Sequence, residues 1–339
     1  MLRHPPPSAL QAGRRRVTCI AAAARRGSSG LCRLAGAAIV AAMVPAATAA
    51  TMLDPADAPH VTAQMYRDEA ANHPSLGQVT GSGLTGSGVA LGGRWVLTAG
   101  HVSLSKTNGT FALNGESYTI QSVITHPSFS FSGPAYDLGL LQLDREVAGP
   151  PATMIRLGSM RDLLGIEAVW AGFGLGGTGI TGAQAPAELR AFTNIIDVFG
   201  DHPSYGLPAT SFVADFDKPD GTTNAPASSP GATRLEGNLA PGDSGGGVFI
   251  EVDGAWFLVG INSYTSGFAP GMNSRYGSLS GAANLHLFHD WIEGQTAIAP
   301  VMIPEPATAL LFAIAAASLC LRRRQRPVHI QEIHLPQAI

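Results

Sequence analysis

From residue 79 to residue 294, the chain alternates short apolar runs with Gly, Asn, Asp and Pro. Each run has four to seven residues rich in aliphatic and aromatic side chains, at 88–91, 94–98, 118–124, 138–143, 167–170, 247–252, 256–261 and 281–287. Short strands between frequent turn signals predict an all-β fold, either a barrel or a sandwich. The first helical period in this region is at 286–294, where we expect a short C-terminal helix.

Both ends of the chain differ from this middle region. A basic N-terminus precedes an apolar run at 34–44 and the triplet Ala-Thr-Ala at 47–49. This order is typical of a secretory signal peptide, so we interpret residues 1–49 as a leader and the protein as exported. An apolar stretch at 307–321, followed by arginines, predicts a C-terminal hydrophobic helix that contacts the inner membrane.

The C-terminal segment also carries a recognisable order of motifs. Pro-Glu-Pro at 304–306 precedes the apolar stretch and the arginine cluster at 322–324. Residues 303–326 therefore resemble the PEP-CTERM sorting signal of Gram-negative bacteria. The resemblance implies a partner, an exosortase in the inner membrane, and delivery to the cell surface or the outside. On this division, residues 50–78 lead into the domain, 295–302 form a linker and 327–339 a tail.

The charge and the cysteine positions exclude several kinds of partner and site. Residues 51–304 contain 22 acidic and 10 basic residues, a net charge of −12. Such a surface repels phosphate backbones, which argues against nucleic acid as a partner. Cys19, Cys32 and Cys320 all lie near the ends, so the middle region has neither disulfides nor thiolate zinc sites.

Two stretches that resemble ligand-binding motifs are better explained as a loop and a turn. Residues 216–233 have loop composition and predict an exposed insertion. Asp215, Asp217 and Asp220 have the wrong spacing for a calcium loop, so we expect a solvated turn there. Residues 172–177 match GxGxxG, but no periodic helix follows, which favours a strand end and a turn over a dinucleotide site.

The stretch that most strongly suggests catalytic chemistry is Pro-Gly-Asp-Ser-Gly-Gly-Gly at 241–247. Ser244 could be a nucleophile whose loop supplies N–H groups to an oxyanion, or it could lie in an ordinary tight turn. A serine nucleophile needs a base and an acid that orients the base. His101 follows an apolar strand, and Asp137 heads the run 138–143, whereas Asp144 at the far end of that run looks solvated.

The same glycine-rich stretch satisfies G-x-S-x-G, the nucleophile elbow of α/β-hydrolases. That fold needs its acid and histidine after the serine, and Asp253, His286 and His289 are available. It also needs alternating strands and crossover helices, which the pattern lacks. An esterase of this type is therefore the weaker hypothesis.

Three ordered motifs resemble those of trypsin-like serine proteases, and the resemblance spans roughly 79–294. They are WVLTAGH at 95–101, YDLGLL at 136–141 and GDSGG at 242–246. The resemblance implies two six-stranded antiparallel β-barrels, about 79–150 and 151–294, with the catalytic triad in the cleft between them. It implies a cofactor-free hydrolase.

Carried over to this sequence, the resemblance assigns a role to each catalytic residue. His101 would act as general base and acid, Asp137 would orient it, and Ser244 would attack the carbonyl. The N–H groups of Gly242 and Ser244 would form the oxyanion hole. Asp243 would pair with a new N-terminus released by cleavage, but no such motif is evident ahead of Gly81. Either the mature N-terminus differs, or Asp243 has another partner.

The resemblance also points to the residues that contact substrate. Asn238 falls at the specificity position six residues before Ser244, and it carries no charge. Ser263 and Tyr264 would line the substrate groove, with Thr265 where the family often has glycine. The sequence therefore predicts an exported serine endopeptidase of open specificity, secreted or at the cell surface. The alternative is a catalytically silent surface adhesion or scaffold module on the same fold.

Overall fold

The computed structural model describes residues 50–104, 106–225, 227–229, 231–267 and 274–302. The predicted leader at 1–49, the sorting segment and the tail lie outside the described residues, as does the hydrophobic helix at 307–321. In the described part of the chain, no helix is long and apolar enough to cross a membrane.

The elements of the described ranges follow one another in this order: β1 (Thr51–Met52), α1 (Ala63–Ala71), β2 (Leu76–Gly81), β3 (Leu84–Gly92), β4 (Trp95–Thr98), α2 (Gly100–Ser103), β5 (Thr110–Leu113), β6 (Glu116–Thr125), β7 (Gly139–Leu143), β8 (Ile155–Arg156), a 3₁₀ helix (Met160–Leu163), β9 (Glu167–Gly172), β10 (Gly176–Thr178), β11 (Gly182–Gln184), β12 (Arg190–Ile195), β13 (Val198–Phe199), β14 (Ser211–Asp215), β15 (Gly237–Asn238), β16 (Gly247–Val252), β17 (Ala255–Gly267), β18 (Ser278–Asn284), a second 3₁₀ helix (Leu285–Leu287), α3 (His289–Thr296) and β19 (Val301–Met302).

The first half of the domain is a closed antiparallel barrel of six strands. Its strands follow the order β2-β3-β4-β7-β6-β5. Successive side chains of a strand alternate between its two faces, so the inward positions of all six strands fill one interior. Val79, Val96 and Phe111 are fully buried there. A Cβ at Gly77 would overlap the ring of Phe111, which explains the glycine in that strand.

The second half of the domain is a half-barrel, which corrects the prediction of a second closed six-stranded barrel. Seven antiparallel strands form one open sheet in the order β12-β9-β16-β17-β18-β14-β13. The short strand β15 does not close this sheet, because its backbone pairs with β1 instead. Together, β11, β10, β1 and β15 make a separate four-stranded sheet.

The fold also decides against the α/β-hydrolase alternative. All neighbouring strands in the barrel and in the seven-stranded sheet are antiparallel. The α-helices in the described ranges are short, and α3 overlaps the helix predicted over 286–294. A parallel sheet with crossover helices, which that class requires, is not the architecture of this domain.

The segment 50–78, predicted only to lead into the domain, is part of its folded core. Tyr66 on α1 is fully buried, and its hydroxyl accepts from the N–H of Leu53 and donates to the carbonyl of Glu236. The side chain of Met52 is also buried. Tyr66 and Met52 also pack in one apolar cluster with Trp170 and Phe192, which attaches β1 and α1 to the half-barrel.

The predicted exposed insertion at 216–233 encloses buried carboxylates, which corrects the sequence-based interpretation. Asp215 and Asp217 are 2% and 3% exposed. The loop folds over these two residues together with Asp197 and Glu236. It directs backbone N–H groups onto their oxygens, from Ala225, Ser229, Gly231 and Thr233. No group of three or more metal-ligating side chains in the described ranges is arranged to hold a metal ion.

Burial of these carboxylates raises their proton affinity. The pKa of Asp197 and the pKa of Asp217 are each raised to about 7, chiefly by burial, and Asp215 adds to the rise at both. Burial also raises the pKa of Glu236 well above its usual range. The folded loop therefore binds protons that the unfolded chain releases.

Asp217→Asn is expected to become more stable relative to wild type as the pH rises. In wild type, the Asp217 carboxyl stays protonated up to about pH 7 in the folded protein. In the unfolded chain it stays protonated only up to about pH 4. The protonated Asp217 carboxyl therefore stabilises folded wild type below about pH 4, and this stabilisation is lost as the pH rises to about 7. Asparagine keeps an acceptor for Gly231 and does not ionise. Urea denaturation at several pH values should show the difference in unfolding free energy changing by on the order of 2 kcal/mol.

Asp220→Asn is the matched control, because Asp220 lies in the same loop and is exposed. Hydrogen bonds from Lys218 and Thr222 lower its pKa to about 2. Its replacement should not reproduce the gain between pH 4 and pH 7 expected for Asp217→Asn. Equal pH slopes for wild type and Asp217→Asn would contradict the prediction.

Candidate active site

The first barrel brings His101 and Asp137 together at one end of two neighbouring strands. β4 runs into α2, which carries His101, and Asp137 lies just ahead of β7. Because β4 pairs with β7, with Thr98 opposite Gly139, the two side chains meet at the same edge. His101 Nδ1 lies 2.8 Å from Asp137 Oδ2, and the backbone N–H of His101 donates to Asp137 Oδ1 at 2.9 Å.

Ser263 provides a third hydrogen bond to the same carboxylate. Its hydroxyl on β17 donates to Asp137 Oδ2. Asp137 is only 2% exposed, and a buried carboxylate is tolerated when its oxygens are hydrogen-bonded. Ser263 also lines the larger cavity next to His101, where the sequence predicts it, and its hydroxyl holds Asp137 from the second half of the domain.

The predicted nucleophile loop, residues 240–247, is held against β3 by Ser87. The hydroxyl of Ser87 donates to the carbonyl of Gly242, and its N–H donates to the carbonyl of Ser244. Gly242 and Gly245 have φ of 103° and 87°, which favours glycine. A Cβ at Gly245 would also overlap the carbonyl oxygen of Ser87. The glycines of the motif are therefore required by the approach of the loop to β3.

Asp243 stabilises the buried side of this loop through two hydrogen bonds to its carboxylate. Its Oδ1 accepts from the N–H of Gly174 at 2.7 Å, and its Oδ2 accepts from the N–H of Ala240 at 2.8 Å. Burial raises the pKa of Asp243 to about 7, against the lowering effect of these two bonds. The structure thus gives Asp243 two backbone partners within the chain.

His101 and Ser244 face a common cleft. Both line a cavity of about 240 Å³ together with Leu84, Thr85, Val102, Lys106, Pro241 and Gly242. No hydrogen bond joins Ser244 Oγ to His101 in the described structure, and catalytic hydrogen bonds are often long before substrate binds. The N–H groups of Gly242 and Ser244 donate to no atom within the described ranges, so they remain available to a ligand.

A larger groove also borders His101. It encloses about 410 Å³ and is lined by Phe129, Phe131, Leu207, Tyr264 and Ser266 among others. Phe131 is 79% exposed, an unusual state for a large apolar side chain. An extended peptide with apolar side chains fits the composition of this groove.

A smaller cavity opens next to Ser244. It encloses about 70 Å³ and is lined by Ser244, Tyr264, Thr265 and residues 239–241. Asn238 is fully buried behind it. Its side chain donates to Thr265 Oγ1 at 2.9 Å and accepts from the hydroxyl of Ser280 at 2.7 Å. Thr265 therefore stands between the cavity and Asn238, and direct contact of Asn238 with substrate stays a prediction.

Lys106 is a residue of the cleft that sequence reasoning did not select. It is 2% exposed, and its ammonium donates to the carbonyls of Gly81 and Leu84 at the turn between β2 and β3. Burial lowers its pKa. The sequence gives no sign that this loop lysine is buried in the cleft, because its carbonyl partners are distant along the chain.

Comparisons with known proteins bear on the fold and on the half of the domain that carries His101 and Asp137. Residues 64–193 match the family model described as Trypsin. A comparison with curated protein sequences finds no match. Among similar solved structures is one of HL collagenase, with a TM-score of 0.51 and 17% identity over 67% of this chain and 94% of that chain. At that identity the likeness shows a shared fold. The family match and this fold together support a trypsin-like serine protease domain in this chain.

Proposed function

We propose that the protein is a serine endopeptidase that cleaves peptide bonds through His101, Asp137 and Ser244. The single observation that carries the proposal is the fixed imidazole of His101. Buried Asp137 holds its Nδ1 at 2.8 Å, while the ring faces the cleft that Ser244 also lines. An orienting acid of this kind keeps Nε2 free of its proton, as a general base requires.

The first half of the reaction is acyl transfer to the enzyme. Ser244 Oγ attacks the carbonyl carbon while His101 Nε2 takes the hydroxyl proton. Negative charge develops on the carbonyl oxygen, and the free N–H groups of Gly242 and Ser244 stabilise it. The C–N bond then breaks, and His101 gives its proton to the leaving amine, which leaves an ester on Ser244.

The second half is hydrolysis of that ester. A water molecule loses a proton to His101 and attacks the acyl carbon through the same oxyanion site. The bond to Ser244 Oγ breaks, and His101 returns the proton to Oγ. The products are a carboxylic acid and an amine, and every proton and electron pair is accounted for without a cofactor.

Labelling with a fluorophosphonate tests the proposal. Wild type should form a covalent adduct whose peptide map locates the phosphorus on Ser244, and Ser244→Ala should not react. Ser117→Ala is the matched control, because Ser117 is an exposed serine of β6 that lines none of the described cavities, and its labelling should match that of wild type. If wild type is not labelled and hydrolyses no peptide, while Ser244→Ala binds a partner equally well, the silent adhesion or scaffold module is the correct function.

We further propose that the peptidase is exported and sorted at its C-terminus. The support is the sequence pattern of 1–49 and 303–326. Replacing Pro304-Glu305-Pro306 by three alanines should retain the protein in the inner membrane of a Gram-negative host with an exosortase. Cell fractionation measures this, and unchanged release would argue against the sorting signal.

A further inference from the structure

Lys106 is a buried cation in the cleft that the proposed reaction does not use. Its side chain lines the cavity of about 240 Å³ that His101 and Ser244 share, and it is 2% exposed. Its ammonium donates to the carbonyls of Gly81 and Leu84, at the turn between β2 and β3. An ammonium has three N–H donors. Among the described residues, the third donor of Lys106 therefore has no acceptor.

The charge of Lys106 also lacks a counter-charge. Within the described ranges, no carboxylate forms an ion pair with it, whereas Lys218, the other lysine of 51–304, pairs with Asp57 and Asp220. Burial lowers the pKa of Lys106, and no acid among the described residues acts to raise it. A buried ammonium without an anion is costly. A carboxylate that entered the cavity would supply the missing negative charge.

The lining of the cavity determines which part of a substrate would occupy it. In the proposed reaction, His101 protonates the leaving amine at the carbon that Ser244 attacks, so the leaving group must lie next to both side chains. The cavity with Lys106 is lined by both. The larger groove borders His101 but not Ser244, and the cavity of about 70 Å³ borders Ser244 but not His101. Residues that follow the cleaved bond therefore belong in the cavity with Lys106.

The walls of this cavity favour an ionic contact. Leu84 and Val102 contribute apolar surface, and no acidic residue of the described chain lines the cavity. The ammonium of Lys106 lies 2.8 Å from the carbonyl oxygen of Leu84, so the charge is placed at a wall residue of the cavity. Apolar walls that exclude water strengthen the attraction between an ammonium and a carboxylate.

We propose that Lys106 is a specificity-determining residue that selects substrates with a carboxylate on the leaving-group side of the cleaved bond. That carboxylate belongs to an aspartate or glutamate side chain, or to the C-terminus of a substrate that loses its last residues. The proposal rests on the proposed peptidase reaction of Ser244. Two N–H groups fix the ammonium to the turn between β2 and β3, and the third donates to the substrate. Residues 51–304 carry a net negative charge, so an acid on the acyl side should not be preferred.

Hydrolysis of matched peptides by wild type tests this selection. The peptides share one acyl half and end in an amide, and they differ only in Asp against Asn, or Glu against Gln, at the first or second leaving-side position. The ratio of kcat/KM for the acid over its amide should be about 10- to 100-fold, the worth of a hydrogen bond between charged groups. A second set has neutral residues and a free C-terminal carboxylate or an amide after one or two leaving-side residues. The set that shows the preference identifies the source of the carboxylate, and no preference in either set would overturn the proposal.

Lys106→Met should bring the ratio of acid over amide to about one. A purely structural role would instead lower kcat/KM for both members of a pair and leave their ratio unchanged, which would also overturn the proposal. Lys218→Met is the matched control, because it removes the other lysine, which lines none of the described cavities, and it should keep the wild-type ratio. If Lys106→Met does not fold, Lys106→Gln takes its place.

Binding without turnover separates this proposal from the proposed function. In a Ser244→Ala background, fluorescence anisotropy should show the peptide with the leaving-side carboxylate bound about tenfold or more tightly than its neutral counterpart. Adding Lys106→Met should remove that difference. If fluorophosphonate does not label wild type, the peptidase function fails, and the binding comparison still decides whether Lys106 selects a carboxylate. Equal affinities for the two peptides would contradict the role of Lys106.

Discussion

Replacing Asp137 by asparagine is expected to lower kcat for peptide hydrolysis by about 10⁴-fold at neutral pH. Asp137 accepts hydrogen bonds from the His101 ring, the His101 backbone and Ser263. An asparagine side chain would offer an N–H to one of these donors. The imidazole would then take the tautomer whose proton is on Nε2, and it could not accept the proton of Ser244.

Steady-state kinetics on a chromogenic peptide amide measure the loss. KM should change little, because Asp137 is buried and does not line the described cavities. Asp144→Asn is the matched control. Asp144 lies at the other end of β7, where its carboxylate accepts from the N–H of Thr119 and pairs with Arg145. A similar loss in both variants, or a loss below tenfold in Asp137→Asn, would remove Asp137 from the mechanism.

The first barrel and the His101–Asp137 pair could be predicted because their signals are local. Alternating apolar residues mark each strand, and His101 and Asp137 each lie at the end of one such run. Once β4 and β7 pair, these ends must coincide. The glycines around Ser244 were equally informative, because Gly242 and Gly245 have positive φ values.

The departure from a second closed barrel could not be predicted in the same way, because it depends on pairing between distant parts of the chain. β1 and β15 have two residues each and pair across an interval of more than 180 residues. Residues 63–71 are mostly good helix formers, but their buried residues, Tyr66 and Ala70, are too few to give a clear period. Helix α1 was therefore missed.

The burial of the carboxylates under the loop 216–233 could not be predicted for a related reason. The loop 216–233 has the composition of an exposed turn, since its aspartates, prolines and small residues dominate turns. Only the folded chain shows that its N–H groups point inward to Asp197, Asp215, Asp217 and Glu236. Similarly, the hydrogen bond from Ser263 to Asp137 joins residues of the two halves of the domain, and no local pattern reports it.

Thr265→Gly is expected to change which residue the enzyme accepts on the acyl side of the cleaved bond. In wild type, the cavity next to Ser244 has about 70 Å³, which suits a side chain such as that of alanine. Thr265 closes it through its hydroxyl, which accepts from Asn238 and donates to the carbonyl of Leu279. Removing that side chain opens the cavity toward Asn238 and Ser280.

The ratio of kcat/KM for leucine over alanine at the acyl-side position should therefore rise by about 10- to 100-fold in Thr265→Gly, because each methylene accommodated is worth roughly 1–3 kcal/mol. A series of peptide anilides with alanine, valine, leucine or phenylalanine at that position measures the ratio. Ser266→Gly is the matched control, since it makes the same kind of change in the neighbouring residue, which lines the larger groove. Its ratio should stay at the wild-type value. A wild-type enzyme that already prefers phenylalanine or arginine there would show that Thr265 does not limit the cavity.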